Sequence, residues 1–227
     1  MDIKLFKKIG DKLSGGIMGK RLIGLSLFFM LVFFSAAAYA GTIEDYSADM
    51  VAVSGDKVVQ KMYVTPEKMR FDVYDQTGKL ETISILRLDQ GKMYALQPDS
   101  KTYFEIPVNK EFTSLEDLAK DMMGAKFDTS REKQGTEEVN GYEAEKFKVT
   151  MNVEIMGQKT TMTHTEWLAP EFAPLPVRTE NPQDQSIVEM RNIKTGAQDD
   201  ALFEIPEGYN KDTSLEEMMK NAGQAEQ

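Results

Sequence analysis

The sequence predicts a mainly β (α+β) protein, a one-sided antiparallel sheet of about eleven strands with two or three short helices. Three observations predict it. Five runs between Lys57 and Pro107 are rich in Val, Ile, Met, Tyr and Phe: Lys57–Val64, Lys68–Tyr74, Thr82–Leu88, Lys92–Gln97 and Thr102–Ile106. Turn signals separate them at Thr65-Pro66-Glu67, Asp75-Gln76-Thr77-Gly78, Asp89-Gln90-Gly91 and Pro98-Asp99-Ser100. Short β-rich runs so punctuated form a meander. Second, Asn140-Gly141 is a strong type I′ hairpin signal between two more extended runs. Third, helix starts are few.

In chain order, Leu22–Phe34 is an almost unbroken apolar run after Lys20-Arg21 and before Ala38-Tyr39-Ala40. A basic region, a short apolar core and small residues at −3 and −1 predict a signal peptide over residues 1–40, cleaved between Ala40 and Gly41. The rival, a membrane anchor, needs about 20 apolar residues. No Cys follows, which excludes a lipoprotein anchor. Two starts compete. Met1–Ile17 makes the basic region long, whereas Met18-Gly19-Lys20-Arg21 opens a signal of ordinary length.

Residues 1–40 carry six Lys/Arg and two Asp/Glu, so 21 basic and 35 acidic residues remain and the net charge becomes −14. Such a surface disfavours nucleic acid and anionic membranes. The remaining 187 residues (41–227) fit one domain with a sizeable core. Zero cysteines exclude disulfides, so an exported chain relies on that core alone, which points to a periplasmic or secreted protein.

Tyr46–Val53 reads as the first strand, with Ser54-Gly55-Asp56 as its turn. In Lys68–Tyr74, Met69, Phe71 and Val73 fall on one face, Arg70 and Asp72 on the other. Ser114 to Asp117 forms a capping box, Leu115, Leu118 and Met122 follow at helical spacing, and Gly124 supplies the C-cap. Strands follow over Lys126–Glu132, Tyr142–Glu154, Lys159–Leu168, Leu175–Glu180 and Ser186–Ile193. Phe104-Glu105-Ile106-Pro107 recurs as Phe203-Glu204-Ile205-Pro206, and Thr113-Ser114-Leu115-Glu116 as Thr213-Ser214-Leu215-Glu216. The repeat predicts a strand followed by a capped helix used twice, either as an internal duplication of residues 46–124 and 127–221 or as similar corners that selected similar residues.

The chain offers little for catalysis. His164 is the sole histidine, in an alternating strand with Met162, Glu166 and Leu168 on its face, and is read as a strand residue without special role. There is no thiol, no phosphate loop and no cofactor motif. We expect no enzyme, no metal and no cofactor. Twelve of fifteen methionines lie beyond residue 40, several at inward strand positions, and methionine adapts to irregular apolar shapes. The predicted apolar groove comprises Met50, Met62, Met69, Phe71, Val73, Ile83, Ile85, Met93, Met162 and Met190. A wide sheet with few helices does not easily fill its concave side with its own chain, so this face has two readings, a ligand groove or an ordinary packed core.

Three motifs add a resemblance. Pro66-Glu67-Lys68-Met69-Arg70-Phe71-Asp72, then Asp89-Gln90-Gly91-Lys92-Met93-Tyr94-Ala95-Leu96-Gln97-Pro98, then Leu202-Phe203-Glu204-Ile205-Pro206-Glu207-Gly208-Tyr209, resemble strand motifs of the LolA/LolB-like superfamily. The chain looks most like an uncharacterised exported family of that fold, which shares Asn140-Gly141-Tyr142-Glu143-Ala144 and Thr165-Glu166-Trp167-Leu168. The resemblance spans about Tyr46 to Lys211. It implies an unclosed antiparallel β half-barrel, short helices on its concave side, and a hydrophobic groove for a lipid or the acyl chain of a lipoprotein. Thr65 stands where the carriers have an arginine before the proline. That departure implies an apolar-ligand binder more than an energy-coupled shuttle. The alternative is an envelope-sensing or structural module with a protein partner and no lipid ligand.

Overall fold

The computed structural model describes residues 44–108, 126–155, 158–173 and 175–214. The chain before residue 44, the capping-box helix after Ser114 and the second helix beyond Ser214 lie outside the described residues. So do the signal segment and its rival membrane anchor.

Twelve strands form one sheet. They are β1 (Tyr46–Ala52), β2 (Lys57–Val64), β3 (Lys68–Tyr74), β4 (Leu80–Arg87), β5 (Lys92–Gln97) and β6 (Thr102–Pro107). Then come β7 (Lys126–Val139), β8 (Tyr142–Ile155), β9 (Gln158–Leu168), β10 (Arg178–Asn181), β11 (Ser186–Thr195) and β12 (Asn210–Lys211). Across the sheet they run β12-β6-β5-β4-β3-β2-β1-β11-β10-β9-β8-β7. The end strands, β12 and β7, do not pair, so the sheet is unclosed among the described residues. Every pair is antiparallel except β12 on β6.

The meander follows the order its turns dictate. Thr65 closes the β2–β3 turn: its N donates to Lys68 O at 2.8 Å and its Oγ1 accepts from Lys68 N at 2.9 Å. Thr65 is thus committed to local turn geometry. Asn140 and Gly141 both have positive φ, 51° and 88°, as a type I′ turn requires, and join β7 and β8 over fourteen residues each.

Several expectations need correction. The first strand stops at Ala52, and Val53–Gly55 is a 3-10 turn ending on Asp56 in the left-handed region. β7 continues to Val139 rather than ending at Glu132, with a register break between Lys133 and Gly135. The strand expected over Leu175–Glu180 is β10, beginning only at Arg178, because Pro176 carries no N–H to donate to a ladder. Leu175 and Val177 are instead buried in the connection, where Val177 N donates to Trp167 O.

Phe203-Glu204-Ile205-Pro206 is not a strand like its earlier copy. It follows a short 3-10 turn, Asp200–Phe203, capped by Asp199 Oδ1 accepting from Ala201 N. This segment straps one face of β3–β6. Lys68 Nζ meets Asp200 at 2.6 Å, Arg70 donates to Leu202 O, and Arg87 donates to Phe203 O and Glu204 Oε1. Phe203, fully buried, packs in a cluster with Ile83, Ile85, Tyr94 and Leu96. β12 then runs beside β6, with Asn210 N on Lys101 O and Asp212 N on Tyr103 O.

Candidate functional site

Directly opposed residues of neighbouring antiparallel strands share a face. Three rows can therefore be followed across the meander. The first is Tyr46, Val64, Met69, Leu86, Met93 and Ile106, all apolar or aromatic and all buried. The second is Ala48, Met62, Phe71, Ser84, Ala95 and Phe104. The third runs from β11 as Met190, Met50, Gln60, Val73 and Thr82. These rows define the inner face, and their apolar members belong largely to one cluster.

The structure thus brings together Met50, Met62, Met69, Phe71, Val73, Met93 and Met190. Met162 shares the face through β9, half-buried and outside the main cluster. Ile83 and Ile85 do not belong with them. Ile85 stands opposite Arg70 and Tyr94, and Ile83 opposite Asp72 and Leu96, so both point to the outer face under Phe203. The reason is that β4 is buried on both faces from Ile83 to Arg87. Its apolar residues therefore do not report a side, and a one-residue slip of register inverts every one.

The far end of the cluster is closed by side chains from outside the meander. Phe172 packs edge-on against Tyr46 (centroids 5.3 Å) and against Tyr142 (4.8 Å). Asn140 Nδ2 donates to Met190 O at 3.0 Å, which ties the β7–β8 hairpin tip to β11. Burial pushes the Tyr46 phenol well above its usual range.

A polar cluster that the sequence reading missed lies on the inner face of β7–β10. Glu166 is 1% exposed, and its Oε1 accepts from Arg131 Nε at 2.9 Å. His164, 5% exposed, places Nε2 3.5 Å from Glu166 Oε2, within ion-pair range but outside hydrogen-bond geometry. Thr179 stands opposite Glu166, also 5% exposed, and its Oγ1 has no partner. Around them are Val149, Met151, Val188 and Met190, all buried. His164, read from the sequence as a strand residue without special role, thus stands beside a buried ion pair. Its alternation with Glu166 was legible; Arg131, 33 residues earlier, was not.

The opposite face at this point is different. Trp167 lies in a row between Lys146 and Arg178, whose cations sit 4.9 and 4.8 Å from its ring, and its Nε1 donates to Glu137 at 2.9 Å. The hydrogen bonds from Lys146 and Trp167 hold the Glu137 carboxyl below its ordinary range. Among the described residues no group of three His, Cys, Asp or Glu is placed to hold a metal ion. The inner face offers apolar contact and a small set of hydrogen-bonding groups.

No curated protein matches the chain. Solved structures resemble it weakly, among them the following three. An uncharacterized conserved protein from Thermus thermophilus is 8% identical at a TM-score of 0.46, over 84% of this chain and 98% of that one. The lipoprotein LppX of Mycobacterium tuberculosis is 13% identical at 0.35, over 70% and 90%. LprF from Mycobacterium bovis is 17% identical at 0.30, over 74% and 90%. A family model matches residues 48–169, from β1 to the end of β9 and more than half of the chain, and bears out the resemblance to an uncharacterised family. The chain belongs to that family, described as a domain of unknown function (DUF4412).

Proposed function

We propose that the protein is exported and binds a hydrophobic ligand, a lipid or the acyl chain of a lipoprotein, against its inner face as a carrier or chaperone. The observation that carries this reading is the continuity of the apolar rows. Seven strands contribute to one face, and Met50, Met62, Met69, Met93 and Met190 all stand on it. Flexible, polarisable methionines let such a surface follow acyl chains of varied shape. The groove in this reading is lined by Met50, Met62, Met69, Phe71, Val73, Met93, Met162 and Met190.

Export is supported by the apolar run and small-residue site before Gly41, and N-terminal sequencing of the stable protein should return Gly41-Thr42-Ile43. A protein partner on a sheet edge is less well supported. β7 ends the sheet among the described residues, but its exposed Lys126, Asp128 and Glu132 and its register break at Gly135 blunt that edge. Titrating a fluorescent fatty acid into delipidated protein tests the proposal. Saturable binding is expected, and no binding would sink it.

A further inference from the structure

Deepening that reading and resting on it, we infer that His164 and Thr179 form the polar end of the groove and hydrogen-bond a neutral polyol headgroup, such as that of a glyceryl monoester. Two orphaned polar atoms lie on the inner face. His164 Nε2 and Thr179 Oγ1 are buried side-chain atoms with no hydrogen-bond partner. Native proteins pair the great majority of such atoms, so an orphan marks a missing partner. These two belong to one site. Thr179 is opposite Glu166 across β9–β10, and His164 lies two residues along β9 on the same face. That makes them diagonal neighbours, with Cβ atoms roughly 7 Å apart.

The chemistry narrows the partner. A hydroxyl both donates and accepts, matching a threonine hydroxyl and an imidazole nitrogen alike. A polyol presents two hydroxyls to two sites that one small group does not span. An anionic head fits poorly, because the Glu166 carboxylate lies 3.5 Å from His164 Nε2 and the Arg131 guanidinium is already engaged by Glu166 Oε1. The apolar rows supply the other half of the ligand. Thr179 is opposite Val188, two residues along β11 from Met190, which pairs with Met50 in the third row. An acyl chain laid along that face would bring its head to the cluster.

The experiment displaces a fluorescent fatty-acid probe from delipidated full-chain protein with 1-monooleoylglycerol, methyl oleate and oleate, which share one acyl chain. Monooleoylglycerol should bind about tenfold tighter than methyl oleate, the worth of one well-made hydrogen bond at a desolvated site. Thr179→Val keeps the side-chain shape and should erase that tenfold preference, leaving methyl oleate affinity and the melting temperature unchanged. His164→Phe should act in the same direction. Equal affinity for the two esters, or a preference that survives both substitutions, would mean that the orphans are satisfied by water alone, and the polar site falls while the apolar groove stands. Tighter binding of oleate than of monooleoylglycerol would also overturn it. Failure of every probe to bind would remove the groove itself, and this inference with it.

Discussion

Arg131 on β7 reaches across β8 to Glu166 on β9, Nε to Oε1 at 2.9 Å, so that a carboxylate on the inner face is paired two strands from its partner. The pair bridges a strand that presents Val149 between Arg131 and His164. Strand alternation puts all these residues on one side, and long-range register brings them together.

Breaking this pair from one side should be costly. Arg131→Met leaves a buried carboxylate without its cation, for which the expected loss is about 3 kcal/mol. The double variant Arg131→Met with Glu166→Leu should recover most of that loss, since apolar residues of similar volume replace buried pairs at little cost. Chemical denaturation of the cycle checks this. Equal destabilisation of single and double variants would show that the two residues act independently.

Phe71 and Ile85 stand on adjacent strands and opposite faces, which separates groove from core. Ile85, fully buried under the Phe203 strap, should cost about 2–5 kcal/mol as Ile85→Ala, with fatty-acid affinity unchanged in the folded fraction. Phe71→Asp should abolish fatty-acid binding while changing the melting temperature of delipidated protein little, because a groove hydrates a charge that a packed core rejects. Melting curves and titrations on the same variants decide. A collapse of stability in Phe71→Asp with no binding by the wild type would make the inner face a filled core.

How much of this was legible beforehand follows from local chemistry. The meander was readable because turn residues such as Thr65-Pro66 and Asp75 to Gly78 bound each run, and Asn140-Gly141 announced its hairpin. Faces within one strand were readable too, as with Met69, Phe71 and Val73. Faces between strands were not. β4 is apolar toward both sides, and the register shifts between Val73 and Tyr74, so sequence gave no reason to separate Ile85 from Met69. The Phe203-Glu204-Ile205-Pro206 copy looked like a strand because burial and β-propensity favour the same residues. Its role depends on Arg70 and Arg87, more than a hundred residues away.

The strap should be a stability element without ligand effect. Arg87 holds it through Phe203 O and Glu204, with Nε and Nη2 on Asp89 at 2.9 and 2.8 Å. Phe203→Ala is expected to cost about 3–5 kcal/mol, and Arg87→Met about 2 kcal/mol through lost charge-assisted hydrogen bonds. Limited proteolysis should show both variants cut first between Gly196 and Tyr209. Cleavage elsewhere, with this segment protected, would contradict the strap.

Acid should weaken the fold from below pH 4. The Arg87 guanidinium holds the Asp89 carboxyl below its ordinary range, and Lys92 does the same for Glu105. A carboxyl depressed in the folded state binds fewer protons there than when unfolded. Its contribution is complete above the unfolded value, about 4 for these groups, and is lost as pH falls through the folded value. Arg87→Met should flatten this acid limb in pH-dependent denaturation. An unchanged limb would mean that Asp89 gains nothing from Arg87.

The most direct measurement is native mass spectrometry of the protein recovered from its native compartment, before and after organic extraction. The account predicts a lipid-sized excess over the polypeptide mass that extraction removes, leaving a folded protein able to take up fatty acid again. The bare polypeptide mass before extraction, together with no uptake afterwards, would contradict it.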